Sequence, residues 1–375
     1  METLLLLAIL LAVAKFSGWI FEKFNQPIVL GQILAGILMG LIIERNEIII
    51  EFANLGVLML LFLAGIESDL EEFKKVGKPG ILVAGVGVLF AFIFGFIVAY
   101  PFFDFGTAML YGAVMTPTSV SITVKVLMEL GKLRTREGTT ILAAAVIDDV
   151  LGILVLTIVI STLREGSVHY DIILKILLEV AGFLAVFLYI GPVFMEDAFR
   201  RLSKIDLPEA TTTFAVVFLV LFAYLAEHLN LASILGAYLI GLSIGQTSYK
   251  KRIEDHMNTL GYSIFIPLFF VDVGMRIDPR FLLQAKVFAL LYALIAMLSK
   301  VIGCGLGAYL ANFDWKSSLK IGIGMIPRLG VELAMITTAM ASGIAGSDVL
   351  TVAMTMVFLT TLVTPLLLKR IYQIL

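Results

Sequence analysis

Apolar blocks of about 20 residues follow one another along the whole chain and are separated by short polar joints. A helix needs about 20 apolar residues to cross a hydrocarbon core of about 30 Å, and within lipid only helices and closed barrels satisfy their own backbone hydrogen bonds. Charged residues make up 15% of the 375 positions, against about 25% in a soluble globular chain. The pattern therefore predicts an all-α integral membrane protein.

The apolar runs, together with the Gly, Pro and charge clusters between them, predict thirteen membrane spans, near 3–21, 27–43, 48–66, 79–100, 107–129, 138–162, 171–195, 208–228, 230–247, 256–275, 281–311, 317–343 and 348–370. The first block lacks a basic start and a cleavage site, so it is expected to be retained as a helix. With the N-terminus outside, the inner joints carry seventeen basic residues and the outer joints and their flanks carry six. The positive-inside rule then predicts a multi-pass protein of the cell membrane, N-terminus outside and C-terminus cytoplasmic.

Several kinds of site and partner are disfavoured by the sequence. A net charge of -2 without a basic arm argues against nucleic acid as a partner. Cys304 is the only cysteine and lies in an apolar block, which excludes a disulfide within the chain and favours a buried thiol. The three histidines have no metal-ligand spacing. No cofactor is expected, and no enzymatic activity.

Ionisable residues inside the apolar blocks are the first candidates for function, because a charge at the bilayer centre is costly. Lys15 and Lys125 lie near span ends, where they can reach the interface. Lys300 lies deep in the eleventh span and Arg328 follows a proline in the twelfth, so each needs a partner or a water-filled cavity. Asp272, near the end of the tenth span, is a candidate for lining an outer funnel for cations.

Two adjacent acids, Asp148 and Asp149, lie close to the centre of the sixth span. Consecutive helical residues point about 100° apart, so the two carboxylates face different neighbours. We hypothesise that Lys300 pairs with Asp148, while Asp149 faces a polar cavity and alternately holds a monovalent cation, Na⁺ or Li⁺, or a proton. Burial and neighbouring charges can poise such a site near neutral pH, where the two compete. A purely structural ion-pair network is the alternative.

Two spans are interrupted by proline in mid-membrane. The fifth contains Pro117 among the hydroxyl residues Thr116, Thr118 and Ser119, and the twelfth contains Pro327 after a glycine-rich stretch. The two spans lie seven apart and so run in opposite directions, as an inverted-topology repeat requires, and paired breaks of this kind indicate a transport site. The three hydroxyl residues are expected either to bind the cation or to cap freed carbonyls.

Arg328 and Glu332 follow the second break four residues apart, on one helix face. Half-helix ends carry partial charges, so these two residues are expected to compensate charge at the breaks rather than to coordinate the ion.

Five segments resemble the second type of monovalent cation/proton antiporters, NapA-like members in particular: 116–125 (TPTSVSITVK), 129–133 (ELGKL), 145–152 (AVIDDVLG), 269–278 (FFVDVGMRID) and 324–328 (GMIPR). The resemblance covers nearly the whole chain. Because NhaA-like antiporters are themselves examples of inverted repeats, the repeat is not independent of this resemblance.

The resemblance implies one transmembrane antiporter domain over 1–375, in a homodimer with the NhaA/NapA-like fold. It implies dimerisation helices at about 1–66 and 171–275, core helices at about 79–162 and 281–370, and elevator-type alternating access. It assigns cation and proton binding to Asp149 and the lysine partner to Asp148, with Lys300 as that lysine. The double acid implies electrogenic Na⁺/H⁺ exchange, and hence a role in pH homeostasis.

One departure and three alternatives remain. The family often reads Pro-Arg-Gly-Glu in the twelfth span, whereas here Glu332 comes two positions later.

A K⁺/H⁺ antiporter is disfavoured because potassium-efflux relatives typically carry Gln-Asp at the acid pair and a cytosolic nucleotide-binding domain. A Na⁺-coupled organic anion symporter would need a larger polar cavity. An intramembrane aspartyl protease would need its two acids on different helices.

Overall fold

The computed structural model describes residues 2–165, 170–205, 207–229, 231–280, 287–329 and 347–374. These residues form helices and short connections, and no β-strand occurs among them. In chain order the helices are α1 (Glu2–Lys23), α2 (Ile28–Gly40), α3 (Glu47–Glu67), α4 (Leu70–Lys75), α5 (Gly77–Ala99), α6 (Phe105–Val114), α7 (Val120–Glu129), α8 (Arg136–Glu165), α9 (Tyr170–Ala185), α10 (Gly191–Leu202), α11 (Ala210–His228), α12 (Ser233–Ile244), α13 (Lys250–Leu260), α14 (Ile266–Arg276), α15 (Val287–Leu310), α16 (Trp315–Gly324) and α17 (Ser347–Ile374).

The all-helical membrane fold is confirmed. Nine long apolar helical stretches in the described residues meet the length and composition of a membrane span, and each coincides with a predicted span. Three further predicted spans contain only shorter apolar helices, α2, α6 and α12. At 1.5 Å per residue, the 13 residues of α2 extend about 20 Å, less than the hydrocarbon core. The second half of the twelfth predicted span lies outside the described residues.

Both predicted breaks are present. The fifth predicted span is two half-helices, α6 and α7, with residues 115–119 between them, because Pro117 has no N–H to continue the helix. Asp104 begins α6 as an N-cap by accepting hydrogen bonds from the backbone N–H groups of Gly106 and Thr107. In the twelfth span, α16 ends at Gly324 and residues 326–329 are not helical.

Two helices contain a π-helical turn that the apolar pattern does not reveal. Val186–Ile190 joins α9 to α10, and Gly261–Phe265 joins α13 to α14. The tenth predicted span therefore begins at Lys250 rather than near residue 256, since the charged first turns of α13 continue into the apolar helix.

The carbonyl of Tyr262 in the second π-turn accepts a hydrogen bond from Lys15 Nζ at 2.7 Å, so Lys15 is anchored by a backbone carbonyl.

The chain divides into two compact units. The first unit comprises Met1–Lys74, Gly131–Arg134 and Leu174–Arg276. Within it, α2 packs against α14 so closely that a Cβ at Gly36 would lie 2.1 Å from the carbonyl oxygen of Val271. Small residues such as glycine allow the backbones of two membrane helices to come this close together.

The second unit comprises Lys75–Leu130, Thr135–Ile173 and Ile277–Leu375. Helix α5 is central to it, because α5 packs against both α8 and α15. A Cβ at Gly307 would lie 2.5 Å from the carbonyl oxygen of Leu82, so the backbones of α15 and α5 are in contact there. Lys300 lies two turns before Gly307 on α15. By packing against both helices, α5 places this lysine within reach of the acids on α8.

Candidate functional site

The ion pair expected between Lys300 and Asp148 is present in the second unit. Lys300 Nζ lies 2.5 Å from Asp148 Oδ1, and both side chains are fully buried. A buried ion pair is tolerated only where geometry is good, because each charge loses its hydration. The pair joins α8 to α15 in the apolar interior, and the roles in transport that the sequence assigns to these residues remain predictions.

The pair leaves one carboxylate oxygen unsatisfied. Among the described residues, Asp148 Oδ2 is buried and has no hydrogen-bond partner. Buried polar atoms are nearly always hydrogen-bonded, so an unsatisfied one calls for a physical explanation. This oxygen has the capacity to accept a further proton or donor.

Asp149 follows on α8 and is also buried, with 9% of its surface exposed, whereas Asp148 has 0%. The two carboxylates point in different directions around the helix axis, as expected of consecutive residues. Counted by themselves, Asp148, Asp149 and Lys300 carry a net formal charge of minus one when all three groups are ionised. A cluster with this charge, in a medium of low dielectric constant, favours the binding of one cation or one proton.

The two helix breaks meet. The N–H of Ser119 in the first break donates to the carbonyl of Pro327 in the second at 2.8 Å. Thr123 Oγ1 donates to the carbonyl of Gly324 at 2.7 Å, and Thr118 Oγ1 lies 3.4 Å from the carbonyl of Met325. Backbone groups at the end of α16, in the second break and at the start of α7 are therefore satisfied across the contact between the breaks, as membrane interiors require.

Arg328 is fully buried and reaches from the second break to the first. Its Nη1 donates to the carbonyl of Pro117, to Thr118 Oγ1 at 3.0 Å and to the carbonyl of Thr116 at 3.4 Å. These carbonyls lie just beyond the C-terminal end of α6, where the helix dipole is negative. The contacts bring a positive charge to that end of α6, and charge compensation by Arg328 remains a prediction. Glu332, predicted to share this role, lies outside the described residues.

The hydroxyl residues of the first break differ in their partners. Thr116 Oγ1 donates to the carbonyl of Ala113 at 2.8 Å, so it caps a carbonyl of α6. Thr118 Oγ1 accepts a hydrogen bond from Arg328 and contacts the carbonyl of Met325 in the second break. Ser119 Oγ lies 3.2 Å from Ser121 Oγ. Thr116 and Thr118 are buried, and Ser119 is partly exposed.

Asp272, a candidate from the sequence for lining an outer funnel, lies in an ion-pair cluster. This carboxylate is fully buried in the first unit, where Arg45 Nε lies 2.7 Å from Oδ1 and Arg276 Nη2 lies 2.7 Å from Oδ2. A carboxylate held by two guanidinium groups does not face a solvent funnel. Its local sequence shows Arg276 four residues away on the helix but not Arg45, which is 227 residues distant in the chain.

A hydrogen-bonded cluster around His256 was not found from the sequence. His256 Nδ1 lies 2.6 Å from Glu209 Oε2 and 2.8 Å from Thr212 Oγ1 in the first unit. The hydrogen bond from Thr212, and then the proximity of His256, lower the pKa of Glu209 below its usual range. The cluster lines a cavity of about 560 Å³ with walls that include Val216 and Leu260. Residues so distant in sequence give no local signal.

Comparison with known proteins decides the family. The model of the family described as "Sodium/hydrogen exchanger, transmembrane" matches residues 8–373. The chain belongs to this family. The match spans both units, so the breaks and the acid pair lie within the exchanger fold.

Two relatives are similar to this exchanger-family chain over nearly their whole length. The Na⁺/H⁺-K⁺ antiporter GerN of Bacillus cereus is 36% identical over 97% of this chain and 94% of its own. A Na⁺/H⁺ antiporter of Enterococcus hirae is 35% identical over 98% of each chain. The structure of the sodium proton antiporter MjNhaP1 from Methanocaldococcus jannaschii matches with a TM-score of 0.70 at 19% identity, covering 98% of this chain and 96% of that one, and supports the fold.

Proposed function

We propose that this exchanger-family chain is a secondary antiporter that exchanges Na⁺ or Li⁺ for protons, with the cation and the proton competing at Asp149. The observation that carries the proposal is the fully buried Lys300–Asp148 pair on α15 and α8, beside a second carboxylate on α8. Relatives 35 and 36% identical over nearly the whole chain are named as Na⁺/H⁺ antiporters, one of them also for K⁺, and this supports the same activity here.

The chemistry follows from charge. With Asp148, Asp149 and Lys300 ionised, the site carries one negative charge in excess and binds one cation. Protonation of Asp149 removes that charge and releases the cation, so the site carries one or the other across the membrane. A proton on Lys300 that leaves when the cation binds would make the stoichiometry exceed one proton per Na⁺, which is the electrogenic exchange that the double acid implies.

We further propose how the whole chain serves this reaction. The second unit carries the acid pair and both breaks, so it is the candidate for the transporting core in elevator-type alternating access. The first unit is the candidate for dimerisation in a homodimer. The N-terminus outside and the C-terminus in the cytoplasm follow from the distribution of basic residues along the chain.

Potassium is a second candidate for the transported cation. The relative GerN, 36% identical, is named as a Na⁺/H⁺-K⁺ antiporter, so relatives at this distance include one associated with K⁺. Na⁺ and Li⁺ remain the primary candidates, because the double acid is associated with them in the family that the sequence resembles.

The test is exchange by purified protein in proteoliposomes with an imposed pH gradient, to which Na⁺, Li⁺ or K⁺ is added while proton movement is followed. We expect Na⁺ and Li⁺ to dissipate the gradient. Because protons compete with the cation, the apparent KM for Na⁺ should rise by up to about tenfold for each unit that the pH falls through the site's range.

Three results would change the proposal. Dissipation by K⁺ alone would make the chain a K⁺/H⁺ antiporter. Na⁺ uptake that requires an organic anion and does not move protons would identify a symporter. No response to any of the three cations would refute antiport by this chain.

A further inference from the structure

Two adjacent threonines on α17 hold both backbone groups of Arg328. The N–H of Arg328 donates to Thr360 Oγ1 at 3.2 Å, and the carbonyl of Arg328 accepts from Thr361 Oγ1 at 3.0 Å. Both threonines are fully buried in the second unit. We propose that Thr360 and Thr361 are positioning residues for exchange, which fix the Arg328 peptide and thereby place its guanidinium on the first break. The inference rests on the proposed antiport.

The Arg328 peptide needs partners because the helix has ended. In a continuing α-helix, the N–H of Arg328 would donate to the carbonyl of Gly324. That carbonyl instead accepts the hydroxyl of Thr123 at 2.7 Å. A peptide N–H buried in an apolar interior without a partner is strongly disfavoured, so an acceptor must come from another element. Thr360 supplies it.

Thr361 departs from the usual behaviour of a threonine in a helix, which is to donate to the carbonyl three or four residues earlier. Thr355 and Thr364 do this on the same helix, with distances of 2.9 Å to Thr351 O and 2.6 Å to Thr360 O. Thr361 gives its single donor to another segment of the chain. Pro365, four residues later, has no N–H for the carbonyl of Thr361, so regular helical bonding is already interrupted at this turn.

The contacts form a continuous path from α17 to the first break. Thr361 holds the Arg328 backbone, and Arg328 Nη1 contacts the carbonyl of Pro117 and the hydroxyl of Thr118. If the peptide shifts, the guanidinium shifts with it, and the carbonyls at the end of α6 lose their compensating charge. Displacements of about 1 Å in a preorganised site can cost about 100-fold in rate.

The test compares variants of buried threonines on one helix. Thr361→Val keeps the side-chain shape and removes the donor, whereas Thr361→Ser keeps the donor. Thr355→Val and Thr364→Val remove hydroxyls that, within the described part of the chain, bond only to carbonyls of α17. Each protein is purified, its thermal unfolding is measured, and its KM for Na⁺ and maximal rate are determined in proteoliposomes over a range of pH.

We expect Thr361→Val to raise the KM for Na⁺ by about tenfold or more, with Thr361→Ser within about threefold of wild type. This corresponds to about 1.4 kcal/mol for the lost positioning. The two control variants should keep the wild-type KM, even where their unfolding midpoints fall as far as that of Thr361→Val. A purely structural role would instead lower stability in all three valine variants without moving the KM or its dependence on pH.

Should Thr361→Val fail to fold, Thr360→Val tests the other half of the contact, with Thr360→Ser as its conservative partner. An unchanged KM in folded Thr361→Val or Thr360→Val, or the same KM change in Thr355→Val, would overturn the inference while wild-type exchange upholds the proposed function. Absence of exchange in the wild-type protein would remove both.

Discussion

Two buried aspartates, one in each unit, differ in the partners of their carboxylate oxygens. Asp148 and Asp272 are both fully buried on helices. Asp272 has its two oxygens held by two guanidinium groups, those of Arg45 and Arg276, at 2.7 Å each. Asp148 has one partner, Lys300, and its Oδ2 has no hydrogen-bond partner among the described residues. The first carboxylate is saturated with donors, and the second is not.

The charge balance of the two clusters differs in sign. One carboxylate with two guanidinium groups leaves a net positive charge around Asp272, whereas Asp148 and Asp149 with Lys300 leave a net negative one. Guanidinium groups remain protonated at all relevant pH, so Arg45 and Arg276 keep a fixed positive charge beside Asp272. An ammonium group and two carboxylates can each give up or take a proton, and only this second combination suits a site that alternates between a cation and H⁺.

The largest effect that this comparison predicts is at Asp149. Asp149→Asn keeps the shape of the side chain and removes the excess negative charge, so the remaining pair is neutral and has no charge to attract a cation. We expect Na⁺-driven proton movement in proteoliposomes to fall by at least about 100-fold, or about 2.7 kcal/mol. Protein with an unchanged thermal unfolding profile serves as the folding control. Wild-type rates in this variant would place the cation elsewhere.

The second prediction concerns the stability of the pair itself. Lys300→Met leaves the Asp148 carboxylate buried without its cation, and breaking such a pair typically costs about 3–5 kcal/mol. We expect the free energy of unfolding in detergent to fall by an amount in this range, and adding Asp148→Asn to restore a large part of it, since the buried charge is then removed.

A double-mutant cycle measures that recovery. Asp148→Asn alone completes the cycle, and a coupling energy of about 2 kcal/mol or more is expected for groups in direct contact. Additive losses in the double variant would show that the two residues act independently, contrary to the 2.5 Å contact.

The sequence predicted the features whose signals are local. A charge or a proline in an apolar block stands out against its neighbours, and this was enough to identify the acid pair, Lys300 and the breaks at Pro117 and Pro327. The ion pair could be inferred because few other charges lie deep enough to be partners. The all-helical membrane architecture follows from the same blocks, since backbone groups in lipid must be satisfied within each helix.

What the sequence did not predict depends on contacts between distant segments. Thr361 looks like any threonine in an apolar helix, because its hydroxyl could equally bond its own helix as Thr355 does. The sequence offered Asp272 as a candidate for an outer funnel and did not reveal its ion pair with Arg45, which is 227 residues distant in the chain. The π-turns likewise keep the apolar pattern of ordinary helices, so periodicity does not reveal them.

The smallest effect is expected where the carboxylate is saturated. Asp272→Asn keeps a hydrogen-bonding group beside Arg45 and Arg276, whose side chains are 29 and 27% exposed and can turn towards solvent. The loss in the free energy of unfolding should therefore be about 1–2 kcal/mol, below that for Lys300→Met. The KM for Na⁺ should stay within about twofold of wild type, which is less than about 0.4 kcal/mol. Both quantities are measured on the same preparation. A tenfold rise in KM without loss of stability would return Asp272 to the cation pathway, and the difference between the two aspartates would then lie in accessibility rather than in saturation.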